Sequence, residues 1–128
     1  MTALHIDLAR VHDMLDDEGS DPTEFRVLVD RLWPRGVKKE RLQHDDWDQD
    51  AAPSSDLRTA FHSGELDFEE FAGHYRRELD DSGAAQALRR RAIDAGATRL
   101  VLLFAAKDTE HTHAQVLRDA VAEAEAGD

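Results

Sequence analysis

Two polar segments of the sequence contain the residue types best suited to chemistry. The first is DRLWPRG (Asp30 to Gly36), which carries two arginines and an indole. The second is KDTEHTHA (Lys107 to Ala114), which carries a lysine, two acids and two histidines. Guanidinium groups suit carboxylates and phosphates, and histidine transfers protons near neutral pH. Together the segments predict a site for a small anionic ligand with a group able to move a proton.

In the first segment, we expect Arg31 and Arg35 to hold the anion, with Asp30 and Trp33 beside it. Two guanidinium groups this close repel each other unless an anion or an acid lies between them. A structural alternative is a salt bridge between Asp30 and Arg31 that ties the strand to its loop. Trp33 and Trp47 have their own alternative, in which both are packing residues rather than platforms for a ligand.

In the second segment, Lys107 follows an apolar strand. Burial at the strand end and a cationic neighbour would make it a better base or nucleophile. Its alternative role is to pair with Asp108 or Asp30. Asp108 or Thr109 can also cap the helix that follows, which would explain either residue without catalysis.

His111 and His113 are the candidate acid–base groups, with Asp108 as the carboxylate that orients one of them. Their spacing of two points them in different directions once a helix begins, so we expect no metal site. Metal binding by Asp108, His111 and His113 would require this segment to stay extended. The remaining alternative is that both histidines are hydrogen-bonded structural residues.

The elements around these segments predict an α/β fold. Leu4, Ile6 and Leu8 alternate with more polar residues, the pattern of a half-buried strand. A second strand is predicted from Phe25 to Asp30. The apolar run from Arg99 to Phe104 lacks alternation, which is typical of a strand covered on both faces. Helices are predicted from Ser54 or Ser55 to Gly64, from the capping pair Asp67 and Glu70 through Leu79, over about 84–95 and over about 111–125. The segment Asp45 to Ala51 adds a weak edge strand, and about 13–23 reads as an exposed loop. We therefore expect one domain over 1–128, a small layered α/β structure with a mainly parallel sheet flanked by helices.

Both polar segments follow predicted strands. In open parallel sheets, ligands bind at the carboxyl ends of the strands. We expect Phe25–Val29 and Leu100–Phe104 to be parallel, adjacent or next-but-one strands, with Arg31 and Lys107 at the same edge.

Composition restricts the classes of partner. The chain has 128 residues, no cysteine and a formal net charge of −12, which disfavours nucleic acid and anionic membranes as partners. It has no apolar run long enough to span a bilayer and no signal-peptide pattern, so we expect a cytoplasmic location. Neither common glycine-rich phosphate loop is present, which disfavours NAD and P-loop nucleotide chemistry. We expect no organic cofactor, although a nucleotide stays a candidate for the anionic ligand. The oligomeric state is left open.

The stretches VLVDRLWPRG (Val27 to Gly36) and LLFAAKDTEHTHA (Leu102 to Ala114) resemble the two signature stretches of the YeaO-like family. Arg10-Val11, Ala52-Pro53-Ser54 and Phe61-His62 also fit the family's pattern, so the resemblance spans nearly the whole chain. It departs at Thr112, where the family usually has asparagine, and at His12 and Phe104, where it often has tyrosine. The resemblance implies an architecture and motif positions but no reaction, because the family is known mainly as a domain of unknown function.

We therefore expect a binder of a small phosphate- or carboxylate-bearing molecule. One form of this hypothesis is a cofactor-independent hydrolase or transferase, in which Arg31 and Arg35 hold the anion, His113 or His111 moves a proton and Lys107 stabilises developing charge. The rival is a non-catalytic ligand-sensing or protein-interaction module linked to stress or regulation. A deep cleft would favour catalysis, whereas a fully paired network would favour a structural role.

Overall fold

The computed structural model describes residues 4–17, 21–108 and 111–124. It contains four strands and four α-helices within these ranges: β1 (His5–Arg10), β2 (Glu24–Leu28), β3 (Asp46–Trp47), β4 (Arg99–Phe104), α1 (Ser55–His62), α2 (Phe68–Ser82), α3 (Ala84–Asp94) and α4 (His113–Ala124). Short 3-10 turns occur at Val11–Asp13, Lys39–Arg41 and Gln49–Ala51. Residues 18–20 of the predicted loop, together with Thr109 and Glu125, lie outside the described residues.

The four strands form one parallel sheet in the order β1-β4-β2-β3. The last strand of the chain, β4, therefore lies between β1 and β2. Leu28 of β2 is opposite Leu103 of β4, and Arg10 of β1 is opposite Phe104. The prediction that the second and last strands are parallel neighbours is confirmed, as is the short edge strand around Trp47.

All four helices pack on one face of the sheet. The strands turn alternate side chains toward them, and the larger core contains Val27, Val29, Leu100, Leu102 and Phe104 with buried residues of every helix. Two of the helices, α1 and α2, begin where the sequence predicts. Ser54 accepts a hydrogen bond from the N–H group of Leu57 at the start of α1, and Asp67 and Glu70 form a reciprocal capping box at the start of α2.

One glycine allows two helices to follow each other directly. Gly83 has φ of 70°, in the left-handed region, where it ends α2 and precedes the first residue of α3. The chain can therefore reverse onto the same face of the sheet without a loop. Within the described ranges, no helix has the length and apolar character needed to cross a membrane.

Loops, not helices, cover the second face of the sheet. A smaller apolar cluster lies there, and Trp33, Trp47, Met14 and Leu15 pack against it, half-buried. Its buried members are Val11, Leu28, Val37, Leu42, Val101 and Leu103. Met14 and Leu15 thus give part of the predicted exposed loop a packing role. The central strand is covered on both faces, as its continuous apolar run predicts.

Candidate functional site

The two polar segments arrive at the same edge of the sheet. The N–H group of Val29 donates to the carbonyl of Leu103 at 3.0 Å, which continues the pairing of β2 with β4 beyond the last paired residues. One residue further on, the N–H group of Ala105 donates to Oδ2 of Asp30 at 2.9 Å. The carboxyl ends of β2 and β4 are thus joined by a side chain, and Arg31 and Lys107 both follow this junction.

Asp30 is held from several directions. Trp47 donates from its Nε1 atom to the Asp30 carbonyl at 2.7 Å, which ties the edge strand to the same residue. The Oδ1 atom of Asp30 lies 3.3 Å from Nε2 of His113 but makes no hydrogen bond to any described residue. The side chain is 17% exposed, and burial raises the pKa of this carboxyl group above its ordinary value, with the neighbouring His113 opposing the shift.

His113 is the first residue of α4, and its imidazole points into the protein. Its Nε2 atom lies 3.0 Å from the carbonyl oxygen of Val29. Because a carbonyl oxygen can only accept a hydrogen bond, Nε2 carries the hydrogen and donates it. This direction of the N–H bond explains why Oδ1 of Asp30 receives no hydrogen bond at a slightly longer distance. Burial lowers the pKa of His113, and the nearby Asp30 only partly offsets that effect. The ring of Tyr75 meets the imidazole edge-on at 6.0 Å.

The two histidines have different carboxylate partners. The carboxylate beside the ring of His113 is Asp30, so Asp108 does not orient this histidine. Asp108 instead contacts His111, with Oδ2 3.1 Å from Nδ1 and Oδ1 accepting from the backbone N–H group at 3.1 Å. His111 and Asp108 are exposed, while His113 is turned inward. The two histidines therefore diverge, as their spacing predicts.

Thr112 occupies the N-cap position of α4. Its hydroxyl accepts from the N–H group of Ala114 at 3.4 Å, and its carbonyl accepts from Gln115 at 3.0 Å. Asp108 is therefore not the cap of this helix, contrary to one of the sequence-based alternatives. Thr112 is also 3% exposed, which shows that the departure from the family's usual asparagine falls at a buried position with a local structural role.

The candidate cations Arg31, Arg35 and Lys107 make few contacts with other described side chains. Arg31 donates from Nε to the Pro53 carbonyl at 3.1 Å and, among the described residues, forms no salt bridge with Asp30. Arg35 and Lys107 are exposed and make no ion pair within the described ranges. The expectation that Lys107 is desolvated at the strand end is wrong, since the chain has already left the sheet there. Its activation as a base or nucleophile loses that physical basis.

Trp33 packs within the protein, which is the alternative to a role as a platform for a ligand. Its Nε1 atom donates to the Val37 carbonyl at 2.7 Å, and its ring meets Trp47 in an edge-on arrangement at 5.6 Å. The Nζ atom of Lys39 lies 5.7 Å from the centre of the ring. The indole is thus occupied on more than one side by the loop that covers the second face of the sheet.

Sequence reasoning missed two arginines at this edge. Arg58 of α1 lies close enough to affect the pKa of both Asp30 and His113. Arg10, the last residue of β1, donates from Nε to the Ala106 carbonyl at 3.1 Å. Arg10 had a signal that was available in principle, because it follows the strand pattern of Leu4, Ile6 and Leu8 as the two polar segments follow the other predicted strands. Arg58 had none, since a single exposed arginine in a helix is unremarkable.

A polar cavity lies away from these residues. Its volume is about 200 Å³, and its lining includes Glu24, Arg26 and Asp45, near the amino end of β2. It therefore lends no support to a ligand site at the carboxyl edge. Among the described residues, no group of three or more histidine and acidic side chains is arranged to hold a metal ion.

Comparisons with known proteins place the chain in a family. Residues 5–128 match the family model described as "Inactive DUF488-N3 subclade". The chain is 40% identical over 116 residues to the uncharacterized protein YeaO of Escherichia coli. The aligned region covers 91% of this chain and 96% of that protein. It is 38% identical over 111 residues to the uncharacterized protein Rv3073c of Mycobacterium tuberculosis, covering 86% of this chain and 87% of that protein. No solved structure matches. The chain therefore belongs to the YeaO-like family that its motifs resemble, within the DUF488-N3 subclade described as inactive.

Proposed function

We propose that this chain binds a small phosphate- or carboxylate-bearing molecule at the carboxyl edge of its sheet, without catalysing a reaction. The observation that carries the proposal is the state of Arg31. Its Nε atom is committed to the Pro53 carbonyl, while its terminal nitrogens contact no partner among the described residues. A guanidinium group held in this way presents its planar fork in a fixed orientation, as bidentate binding of an oxyanion requires.

Two further cations support the same ligand class. Arg35 and Lys107 are exposed, and neither forms an ion pair with the described parts of the chain. The chain has a net charge of −12, so unpaired cations at one edge stand out against an acidic surface. Their local potential attracts a small anion, whereas the total charge repels an extended polyanion.

The buried histidine argues against catalysis. A general acid or base must reach the ligand with its exchangeable proton or its lone pair. The Nε2 hydrogen of His113 is donated to Val29 within the protein, and its neighbour Asp30 is engaged with Ala105. The description of the family as inactive agrees with a binding role.

A second candidate function is proton transfer in a hydrolase or group-transfer reaction, and one contact favours it. Oδ2 of Asp108 lies 3.1 Å from Nδ1 of His111. If Nδ1 carries the hydrogen and donates it to Asp108, the Nε2 atom of this exposed ring has a lone pair that can accept a proton. Nε2 has no partner among the described residues. This function would use the same cations to hold the substrate.

The binding proposal is tested by isothermal titration of the protein with inorganic phosphate and with acetate. Arg35→Ala and Lys107→Ala remove no internal contact that the structure describes, so both variants should fold normally and bind more weakly. Arg31→Ala should weaken binding about tenfold or more, the effect of losing hydrogen bonds to a charged group. The control is Arg90→Ala, an exposed arginine of α3, the helix that leads to the other end of β4. Equal binding in all variants, or no binding by the wild type, would refute the proposal.

The catalytic candidate is separated by incubating the wild type and His111→Asn with a chromogenic phosphate monoester. Binding without release of product supports the binding role. Product release that disappears in His111→Asn, while phosphate still binds, would instead establish the second function.

A further inference from the structure

We propose that the ligand of this edge carries two anionic groups, which bind to Arg10 and Arg31 from either side of the end of β4. This inference rests on the proposed anion-binding function and specifies the class of ligand. It makes Arg10 a second binding residue at the site.

Arg10 and Arg31 are anchored in the same manner. Each is half-buried, and each donates from Nε to a backbone carbonyl at 3.1 Å, Ala106 for Arg10 and Pro53 for Arg31. In both cases the terminal nitrogens make no hydrogen bond or ion pair within the described residues. The anchoring bond restrains the side chain before any ligand arrives, so less conformational entropy is lost on binding.

The sheet order separates the two anchored groups. Arg10 ends β1 and Arg31 follows β2, and these strands are the two neighbours of β4. Strands separated by one other strand lie roughly 10 Å apart. The acceptors also differ, because Ala106 continues β4 whereas Pro53 precedes α1. The two forks are therefore fixed to different backbone segments on either side of the strand end.

Each fork has near it in sequence one cation that forms no ion pair with the described residues. Lys107 follows the carbonyl that anchors Arg10, and Arg35 lies in the same loop as Arg31. The edge thus offers two cationic subsites, Arg10 with Lys107 and Arg31 with Arg35. A monoanion neutralises one subsite and leaves the repulsion at the other. A molecule with two phosphate or carboxylate groups, joined by a short linker, neutralises both.

The test compares probes that carry one and two anionic groups. Inorganic phosphate and methylphosphonate are titrated beside alkane bisphosphonates, and acetate beside dicarboxylates from succinate to adipate, so that the two arms distinguish phosphate-type from carboxylate-type ligands. We expect one linker length to bind at least tenfold more tightly than the matched monoanion. Arg10→Ala and Arg31→Ala should each remove that advantage, and Arg90→Ala should retain it.

Arg10→Lys keeps the charge and most of the packing but loses the fork, so it replaces Arg10→Ala if that variant is misfolded by circular dichroism. It should also lose most of the advantage. Equal affinity for probes with one and two groups, or an advantage that survives both changes at Arg10, would overturn this inference and leave single-anion binding intact. Failure of every probe to bind would instead overturn the proposed function and this inference with it.

Discussion

The Nε2 atom of His113 lies 3.0 Å from the carbonyl oxygen of Val29, which joins the first residue of α4 to the residue that follows β2. Asp30, the next residue, accepts from the N–H group of Ala105 at the end of β4. Two neighbouring residues thus fix a helix and a strand that the chain reaches much later. His113 and Asp30 therefore connect β2, β4 and α4 at the edge where the cationic segments begin.

We expect Asp30→Ala to lower the free energy of unfolding by about 1–3 kcal/mol, because the partly buried N–H group of Ala105 loses its acceptor. Asp30→Asn should retain most of the stability, since its side-chain carbonyl can still accept from Ala105. Urea unfolding followed by circular dichroism measures both. Asp50→Ala, at an exposed position, is the control and should be nearly neutral. A loss in Asp30→Ala no larger than in the control would contradict this assignment.

The pH dependence of stability should report the burial of His113. Its pKa is lowered in the folded protein, so the unfolded chain takes up the proton first as the pH falls below about 6.5. The contribution of His113 to stability is therefore present above that pH and declines as the pH falls toward the folded pKa. The pKa of Asp30 is raised, which has the opposite sign and acts at lower pH, where the carboxyl group takes up its proton.

This prediction is checked by urea unfolding between pH 8 and pH 5 for the wild type and His113→Gln, which keeps an N–H donor for Val29. The variant should lose less stability than the wild type over the same interval. His74→Gln, an exposed histidine of α2, should follow the wild type. Parallel profiles for the wild type and His113→Gln would show that His113 titrates normally.

Thr112 should be replaceable by the asparagine usual in the family. Asparagine caps helices at least as well as threonine, so Thr112→Asn should leave the free energy of unfolding nearly unchanged or raise it slightly. Thr112→Val has a similar shape but no acceptor for Ala114, and we expect it to cost about 1 kcal/mol. Thermal unfolding of the three proteins distinguishes them. If valine were as stable as threonine, the hydroxyl would have no capping role.

The capping box of α2 should be measurable in isolation from the site. Asp67→Ala removes the acceptor for the N–H group of Glu70 at 2.8 Å and should cost about 1 kcal/mol. Glu69→Ala, in the same exposed first turn, is the matched control. Phosphate affinity should be unchanged in both variants, because α2 contributes none of the proposed binding cations. If Asp67→Ala lost no more stability than Glu69→Ala, the capping box would not stabilise α2.

Local sequence patterns were sufficient for most of the fold. The continuous apolar run Arg99 to Phe104 predicts the covered central strand, and the capping residues Ser54 and Asp67 locate the starts of two helices. These features depend on residues a few positions apart, so a single sequence contains them. The common edge of Arg31 and Lys107 also followed, because both come after strands that turned out to be parallel neighbours.

The pairing of Asp30 with His113 could not be predicted from the sequence. Asp108 is close to His113 in the chain, but α4 begins only at His113, and the imidazole of His113 contacts the residue that follows β2. Its true partner, Asp30, is brought there by the order of the strands, which no local pattern specifies. The same holds for Arg10, whose anchor on Ala106 exists because β1 is the other neighbour of β4.

The position of β4 in the sheet also sets the order in which the protein can assemble during translation. Both β1 and β2 are hydrogen-bonded to β4, yet β4 is the last strand to leave the ribosome. Until residues 99–104 emerge, a nascent chain has only the two-residue pairing of β2 with β3 to build on, and β1 has no strand to join. Contacts between such distant parts of a chain form slowly, and unpaired strands are exposed to aggregation meanwhile. Synthesis of this protein therefore passes through an interval in which the segments of α1, α2 and α3 have been made but the central strand that they cover has not.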